Sequence, residues 1–351
     1  MLRIRVLIVD DSVVVRSRVS KLLSIDLELE VIGVAATGSI ALSKISQLNP
    51  DVVILDIEMP DMDGLETLAA IRRSYPTLPV VMFSTFTRAG ASATLEALSL
   101  GANDYATKPS NLGSVEAANK HIYEDLVPKI KLFGSGSPKL IPSVTPDLIT
   151  KPPRLLTQRV DVVAIGVSTG GPNALATMLH SLPANLPIPI LIVQHMPPMF
   201  TKLLAERLAS VSQISVNEAT SGIVVKPGQA LIAPGDFHMI VERSGDNVQI
   251  VTHQALPENS CRPSVDVLFR SVAEVYQANA IAVVLTGMGQ DGLRGCESIR
   301  SVGGQILAQD KASSVVWGMP GLVVNAGLAD QVVPLNRMAD EIIQRIGNNR
   351  A

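Results

Sequence analysis

Two sets of side chains in this 351-residue chain have the types and spacing to do chemistry. In "IGVSTGGP", Ser168 interrupts a turn otherwise built of glycines, directly after the apolar run "DVVAIGV". A serine hydroxyl is a poor nucleophile until a base takes its proton, and imidazole suits that role near neutral pH. His195 in "VQHMPP" offers the base, and Asp291 in "LTGMGQDG" a carboxylate to fix its tautomer and stabilise the imidazolium. The second set is acidic: Asp10 and Asp11 in "VDDS", Asp56 in "LDIEMPDMDG", then Ser84 and Thr85 in "FST" and Lys108 in "TKP". Converging carboxylates repel one another unless a hard divalent cation such as Mg2+ sits between them. A lysine beside them completes the charge balance and could hold a phosphoryl oxygen.

These residues need a scaffold that brings distant segments to one edge. Over residues 1–132 the runs "RVLIVD", "VIGVAA", "DVVILDI", "PVVMFST" and "DYAT" alternate with helical patterns, which predicts a (βα)5 parallel sheet. Residues 133–159, rich in Pro, Gly, Ser and Thr, read as a linker. Over residues 160–351 the alternation resumes with "DVVAIGV", "IPILIVQ", "AIAVVLT", "GQILAQ" and "DQVVPL". This predicts a doubly wound, mostly parallel α/β domain. The "SGDN" turn, in a less regular section near 216–256, predicts an antiparallel hairpin attached to that sheet. Ligands of such sheets bind at the carboxyl ends of the strands, where both sets of residues fall.

The glycine turn admits other readings. A dinucleotide fingerprint needs glycine where "GVSTGG" has Ser168, and the next strand, "IPILIVQHM", ends without an acidic residue for a ribose. The G-x-S-x-G match is loose, and a serine capping the helix that starts near Pro172 competes with nucleophile display. The partners His195 and Asp291 favour the nucleophile. Among the other histidines, His121 lies in the first domain and His180 in the helix after the turn, whereas His238 and His253 are harder to set aside. Backbone N–H groups of Thr169 or Gly170, and of Met288, could receive the oxyanion of an acyl transfer. The chain order Ser, His, Asp differs from that of α/β-hydrolases. Cys261 reads as an ordinary reduced cysteine, Trp317 as a packing residue, and Arg262 as either a solvated surface arginine or a cleft-entrance residue for an acidic substrate.

With these motifs assembled, the first 130 or so residues closely resemble the receiver domains of two-component response regulators. The resemblance implies that Asp56 accepts a phosphoryl group from a histidine kinase. It further implies that Asp10, Asp11 and Asp56, with the backbone carbonyl of Glu58, bind Mg2+, and that Lys108 contacts the phosphoryl group. Ser84 and Tyr105 match the switch positions, with Thr85 beside the first leaving its assignment open. The second domain resembles the catalytic domain of chemotaxis-type protein-glutamate methylesterases through "IGVSTGGP", "VQHMPPMFT", "APGDFHM", "RPSVDVLF", "LTGMGQDG" and "VWGMPG". This second resemblance implies phosphorylation-controlled hydrolysis of glutamate methyl esters on chemoreceptors, deamidation of certain receptor glutamines, and an esterase site that needs no metal.

Composition bounds the alternatives. Residues 160–351 hold 12 Lys and Arg against 15 Asp and Glu, so the second domain carries −3 and lacks the basic excess of a nucleic-acid binder. A phosphorylation-dependent regulator of transcription is therefore the weaker reading, and a nicotinamide enzyme is disfavoured by Ser168 itself. No apolar run approaches the roughly 18 residues of a membrane span, and "MLRIRVLIVDD" is unlike a signal peptide. Two cysteines without metal-type spacing fit a reducing cytoplasm.

Overall fold

The structure, a computed structural model, describes residues 3–109, 114–135 and 159–347. They belong to two compact units that divide between Val144 and Thr145. Most of the expected linker lies outside the described residues, and its first two residues, Phe133 and Gly134, end a helix.

In the first unit the β-branched runs become β1 (Ile4–Val9), β2 (Leu29–Ala35), β3 (Val52–Asp56), β4 (Val80–Ser84) and β5 (Asp104–Thr107). Between and after them run α1 (Val13–Leu23), α2 (Gly38–Leu48), α3 (Gly64–Ser74), α4 (Arg88–Ser99) and α5 (Val115–Gly134). Each helix starts where a side chain can take an otherwise unpaired N–H: Ser12, Thr37, Asp63, Thr87 and Ser114. The sheet is parallel, in the order β2-β1-β3-β4-β5. Val6, Ile8, Ile54, Val81 and Phe83 pack on one of its faces with Leu126 and Ile130 of α5. The strand order reverses between β1 and β3, which end beside Asp10 and Asp56. A crevice at the carboxyl ends there is where this topology binds ligands.

The second unit contains β6 (Val162–Val167), α6 (Gly171–His180), β7 (Ile190–Gln194), α7 (Phe200–Val211), β8 (Ser215–Glu218), β9 (Gln229–Ile232), β10 (His238–Ser244) and β11 (Asn247–His253). There follow α8 (Val265–Tyr276), β12 (Ala280–Val284), α9 (Leu293–Ser301), β13 (Gln305–Gln309), α10 (Met319–Asn325), β14 (Gln331–Val333) and α11 (Leu335–Gly347). Seven strands form one sheet in the order β14-β13-β12-β6-β7-β9-β8, every pair parallel. β6, β7, β12 and β13 are buried at every residue, as expected of largely apolar strands covered on both faces, with Gln194, Gln305 and Gln309 as buried polar ends.

One expectation is corrected. The "SGDN" hairpin forms, with Ser244 opposite Asn247, but β10 and β11 make a separate two-stranded sheet. The irregular section also supplies β9, and with β8 it occupies the edge beyond β7. The hairpin's Met239, Val241 and Ile250 are buried instead in the cluster that holds Leu268 and Phe269 of α8. In the large sheet the order reverses at β6, whose neighbours are β12 and β7. Among the described residues no helix is long and apolar enough to cross a membrane.

Candidate active site

Strand register brings Ser168 and His195 together. Val167 and Gln194, the last residues of β6 and β7, pair directly, and the His195 N–H donates to Val167 O at 3.2 Å. Ser168 and His195 are therefore consecutive exits from adjacent strands. The Ser168 N–H donates to Thr286 O at 3.0 Å, tying the turn to the loop after β12. Gly170 takes φ +78°, the left-handed region that favours glycine, and α6 starts without a side-chain cap. Ser168 is thus not spent on capping. Across from it, a Cβ on Gly287 would lie 2.8 Å from Ser168 Cβ, so the absence of a side chain there lets the two loops meet.

His195 Nε2 bonds to Asp291 Oδ2 at 2.8 Å. The same oxygen accepts the Val265 N–H at 2.6 Å. Asp291 Oδ1 accepts from Asn259 Nδ2, Ser264 Oγ and the N–H groups of Asp266 and Gly292, at 2.8–3.1 Å. Burial would raise the Asp291 carboxyl, but His195 and the backbone N–H groups of Asp266 and Val265 outweigh it and hold it at about 2. An ionised acceptor fixes the hydrogen on Nε2 and leaves Nδ1 as the basic face. Burial also disfavours the His195 cation, yet Asp291 and Cys261 on its two nitrogens raise its pKa above the ordinary imidazole range. No hydrogen bond joins Ser168 Oγ to the ring among the described residues. In resting enzymes such bonds often tighten only with substrate.

The competing histidines are engaged elsewhere. His121 meets Thr107 Oγ1, His180 meets Val211 O, and buried His238 lies between Leu256 O and the Ser264 N–H, its ring 5.4 Å from that of His253. The turn after β6 bonds through the N–H groups of Ser168 and Gly171, and those of Gly170 and Met288 have no acceptor among the described residues. Buried Thr169 is fixed through its carbonyl, which accepts from Thr286 Oγ1 at 2.9 Å. Arg262 is half-buried and bonds to Asp236 Oδ1 and the Ala255 carbonyl. Trp317 Nε1 donates to Gln309 O, which holds its loop beside Gly287.

In the first unit Asp10, Asp11 and Asp56 bring carboxylate oxygens within 4.8 Å of one another. Asp10 and Asp56 are buried and Asp11 is exposed. Lys108 Nζ lies 2.8 Å from both Asp10 Oδ2 and Asp56 Oδ2, one cation between two buried anions. Burial pushes Asp56 up to about 6 with help from Asp10, against the downward pull of Lys108. An all-oxygen donor set with uncompensated negative charge fits a hard divalent ion. The Glu58 N–H approaches Asp56 Oδ1 at 3.4 Å, so the Glu58 backbone borders the cluster. Ser84 is fully buried, its Oγ bonded to Gly90 O at 3.1 Å, whereas Thr85 Oγ1 turns to Glu58 Oε1 at 3.4 Å. The Tyr105 ring is buried, with Lys129 Nζ 5.3 Å from its centroid.

The sequence pattern of the family "CheB methylesterase" matches residues 163–342, and that of "Response regulator receiver domain" matches residues 6–119. A protein-glutamate methylesterase/protein-glutamine glutaminase of Trichodesmium erythraeum (strain IMS101) is 58% identical over 350 residues, 98% of this chain and 99% of its own. The chain belongs to the CheB methylesterase family. A second relative of the same name, from Nocardioides sp. (strain ATCC BAA-499 / JS614), is 47% identical over 99% of this chain and 96% of its own. Among solved structures, the CheB methylesterase catalytic domain of Thermotoga maritima is similar at 44% identity and a TM-score of 0.52, covering 53% of this chain and 98% of that one.

Sequence reasoning missed part of the CheB-type cleft. A cleft of about 240 Å3 beside the ring is lined by His195, Asn259, Cys261, Met288, Gln290 and Asp291. Cys261 Sγ lies 3.6 Å from His195 Nδ1. Asn259 Nδ2 bridges Asp291 to buried Asp266, whose Oδ1 accepts the N–H groups of Gly292 and Gly295. The available signal was the density of Asn, Ser and Asp in "ENSCRPSVD", which marks a loop running into a helix start.

Proposed function

We propose that this chain hydrolyses glutamate methyl esters on chemoreceptors in the cytoplasm, with Ser168, His195 and Asp291 as its catalytic residues and Asp56 as its phosphorylation site. One observation supports the reading: His195, leaving β7 beside the exit of Ser168 from β6, bonds through Nε2 to a buried, ionised Asp291, so that Nδ1 is the nitrogen left to act as base. Ser168 Oγ attacks the ester carbonyl while Nδ1 takes its proton. The oxyanion is met by N–H groups from Gly170 and Met288, with Thr169 in the same turn. The imidazolium then protonates departing methanol, and water, deprotonated by the same nitrogen, releases the glutamate. A glutamine side chain passes through the same acyl-enzyme with ammonia leaving, consistent with the glutaminase activity in the relatives' name.

Asp56 takes its phosphoryl group from a histidine kinase. Asp10, Asp11, Asp56 and the Glu58 carbonyl would hold Mg2+, which when bound neutralises charge on the phosphoryl oxygens. Lys108 stays beside Asp56 and meets the new charge, and Ser84 and Tyr105 carry the change outward. In this scheme the unphosphorylated first unit restrains the esterase. The test is methanol release from methylated receptor with and without a small phosphodonor. Ser168→Ala should abolish release and Asp56→Asn should abolish only the stimulation. Wild-type release by a folded Ser168→Ala protein would refute the mechanism, and a fragment 160–351 as inactive as the unphosphorylated chain would refute the restraint.

A further inference from the structure

The nitrogen that must serve Ser168 is shared. Cys261 Sγ stands 3.6 Å from His195 Nδ1 and 3.4 Å from Asn259 O, and it lines the open cleft. Its thiol donates no atom to the proposed hydrolysis and acts on the base only by raising its pKa. Zinc binds imidazole nitrogen at about 2.0–2.1 Å and thiolate sulfur at about 2.3 Å, so a tetrahedral ion separates those two donors by about 3.6 Å. The observed 3.6 Å equals that separation. Metal-bound histidines characteristically donate their other ring N–H to a carboxylate, which fixes the ring and raises its basicity. Nε2 already does so to Asp291, whose Oδ1 is held by four donors.

We propose that Cys261 Sγ and His195 Nδ1 form a site for a borderline-soft divalent cation, Zn2+ in preference to Mg2+, and that its occupation switches the esterase off. Binding displaces the thiol proton to solvent and forms the S–Zn and N–Zn bonds. Water completes the coordination, for which the cleft has room, and the nitrogen lone pair needed to deprotonate Ser168 is then tied up in the metal bond. The sulfur gives selectivity, since Mg2+ demands oxygen donors and is directed to the carboxylates around Asp56. The switching role rests on the esterase assignment of His195, whereas the binding site does not.

The test uses the full-length protein with excess Mg2+. Titration with Cd2+, read as the ultraviolet thiolate-to-metal charge-transfer band, should show one equivalent bound in wild type and in Ser168→Ala. Cys261→Ser should lose the band, and Cys296, fully buried, should contribute none. Zn2+ should then lower methanol release by wild type about tenfold or more, reversibly on chelation, while the rate of Cys261→Ser, compared with its own metal-free value at the same pH, should change little. Absence of the band, or its persistence in Cys261→Ser, overturns the site even if the enzyme proves to be an esterase. A Cys261-dependent band with unchanged methanol release overturns the switch. A band in a protein that never releases methanol from ester keeps the site and refutes the esterase reading instead.

Discussion

At the scale of the residue, His195 is set by what stands on its two nitrogens. A general base works only when neutral, and a raised pKa keeps the proton on the ring to higher pH. The rising limb of kcat/KM should therefore lie above the ordinary imidazole value of about 6.5. Removing one contributor, in Cys261→Ser with a chelator present, should move the limb toward acid, which a pH profile of methanol release measures. A limb that stays in place would mean the thiol does not act on Nδ1. Asn259 makes a second case. Its amide donates to both Asp266 and Asp291, two buried carboxylates that repel each other. Asn259→Ala should destabilise the second unit by about 1–3 kcal/mol, as a lower melting temperature, and reduce kcat more than it changes KM.

At the scale of the element, the loops after β6 and β12 act as one unit because Gly287 has no side chain. Gly287→Ala would place a Cβ 2.4 Å from Met319 Sδ and 2.8 Å from Ser168 Cβ. A displaced nucleophile turn should cost about a hundredfold in methanol release, with a circular dichroism spectrum unchanged. This scale also shows what the sequence could tell. The strands of both units and helices such as α7 and α8 were legible because buried runs keep their period, and a parallel sheet necessarily delivers Ser168, His195 and Asp291 to one edge. β8 escaped notice because it is four residues long with alternate residues exposed. Cys261 and Asn259 were illegible for another reason. They sit in a loop between the hairpin and α8, and only the folding of β10 and β11 onto α8 carries that loop to the ring of His195.

At the scale of the whole molecule, the two units titrate differently. The Asp56 pKa is raised from 3.8 to about 6, so its contribution to stability is fully present below 3.8 and is lost as pH rises through 6. The loss is up to about 3 kcal/mol. Without divalent cations, Asp56→Asn should raise the melting temperature of the first unit at pH 7 and have little effect below pH 4. Calorimetry should find the transition of the second unit unmoved. That second unit carries a linkage of its own. The N-cap residue of α8, Ser264, makes no side-chain bond to the helix, and the leading N–H groups of Val265 and Asp266 end on Asp291. The carboxylate that readies the base is also the peg on which a helix begins. Heat that frees the start of α8 thus disarms the enzyme in the same event, and a half-melted molecule has no means of hydrolysing esters indiscriminately.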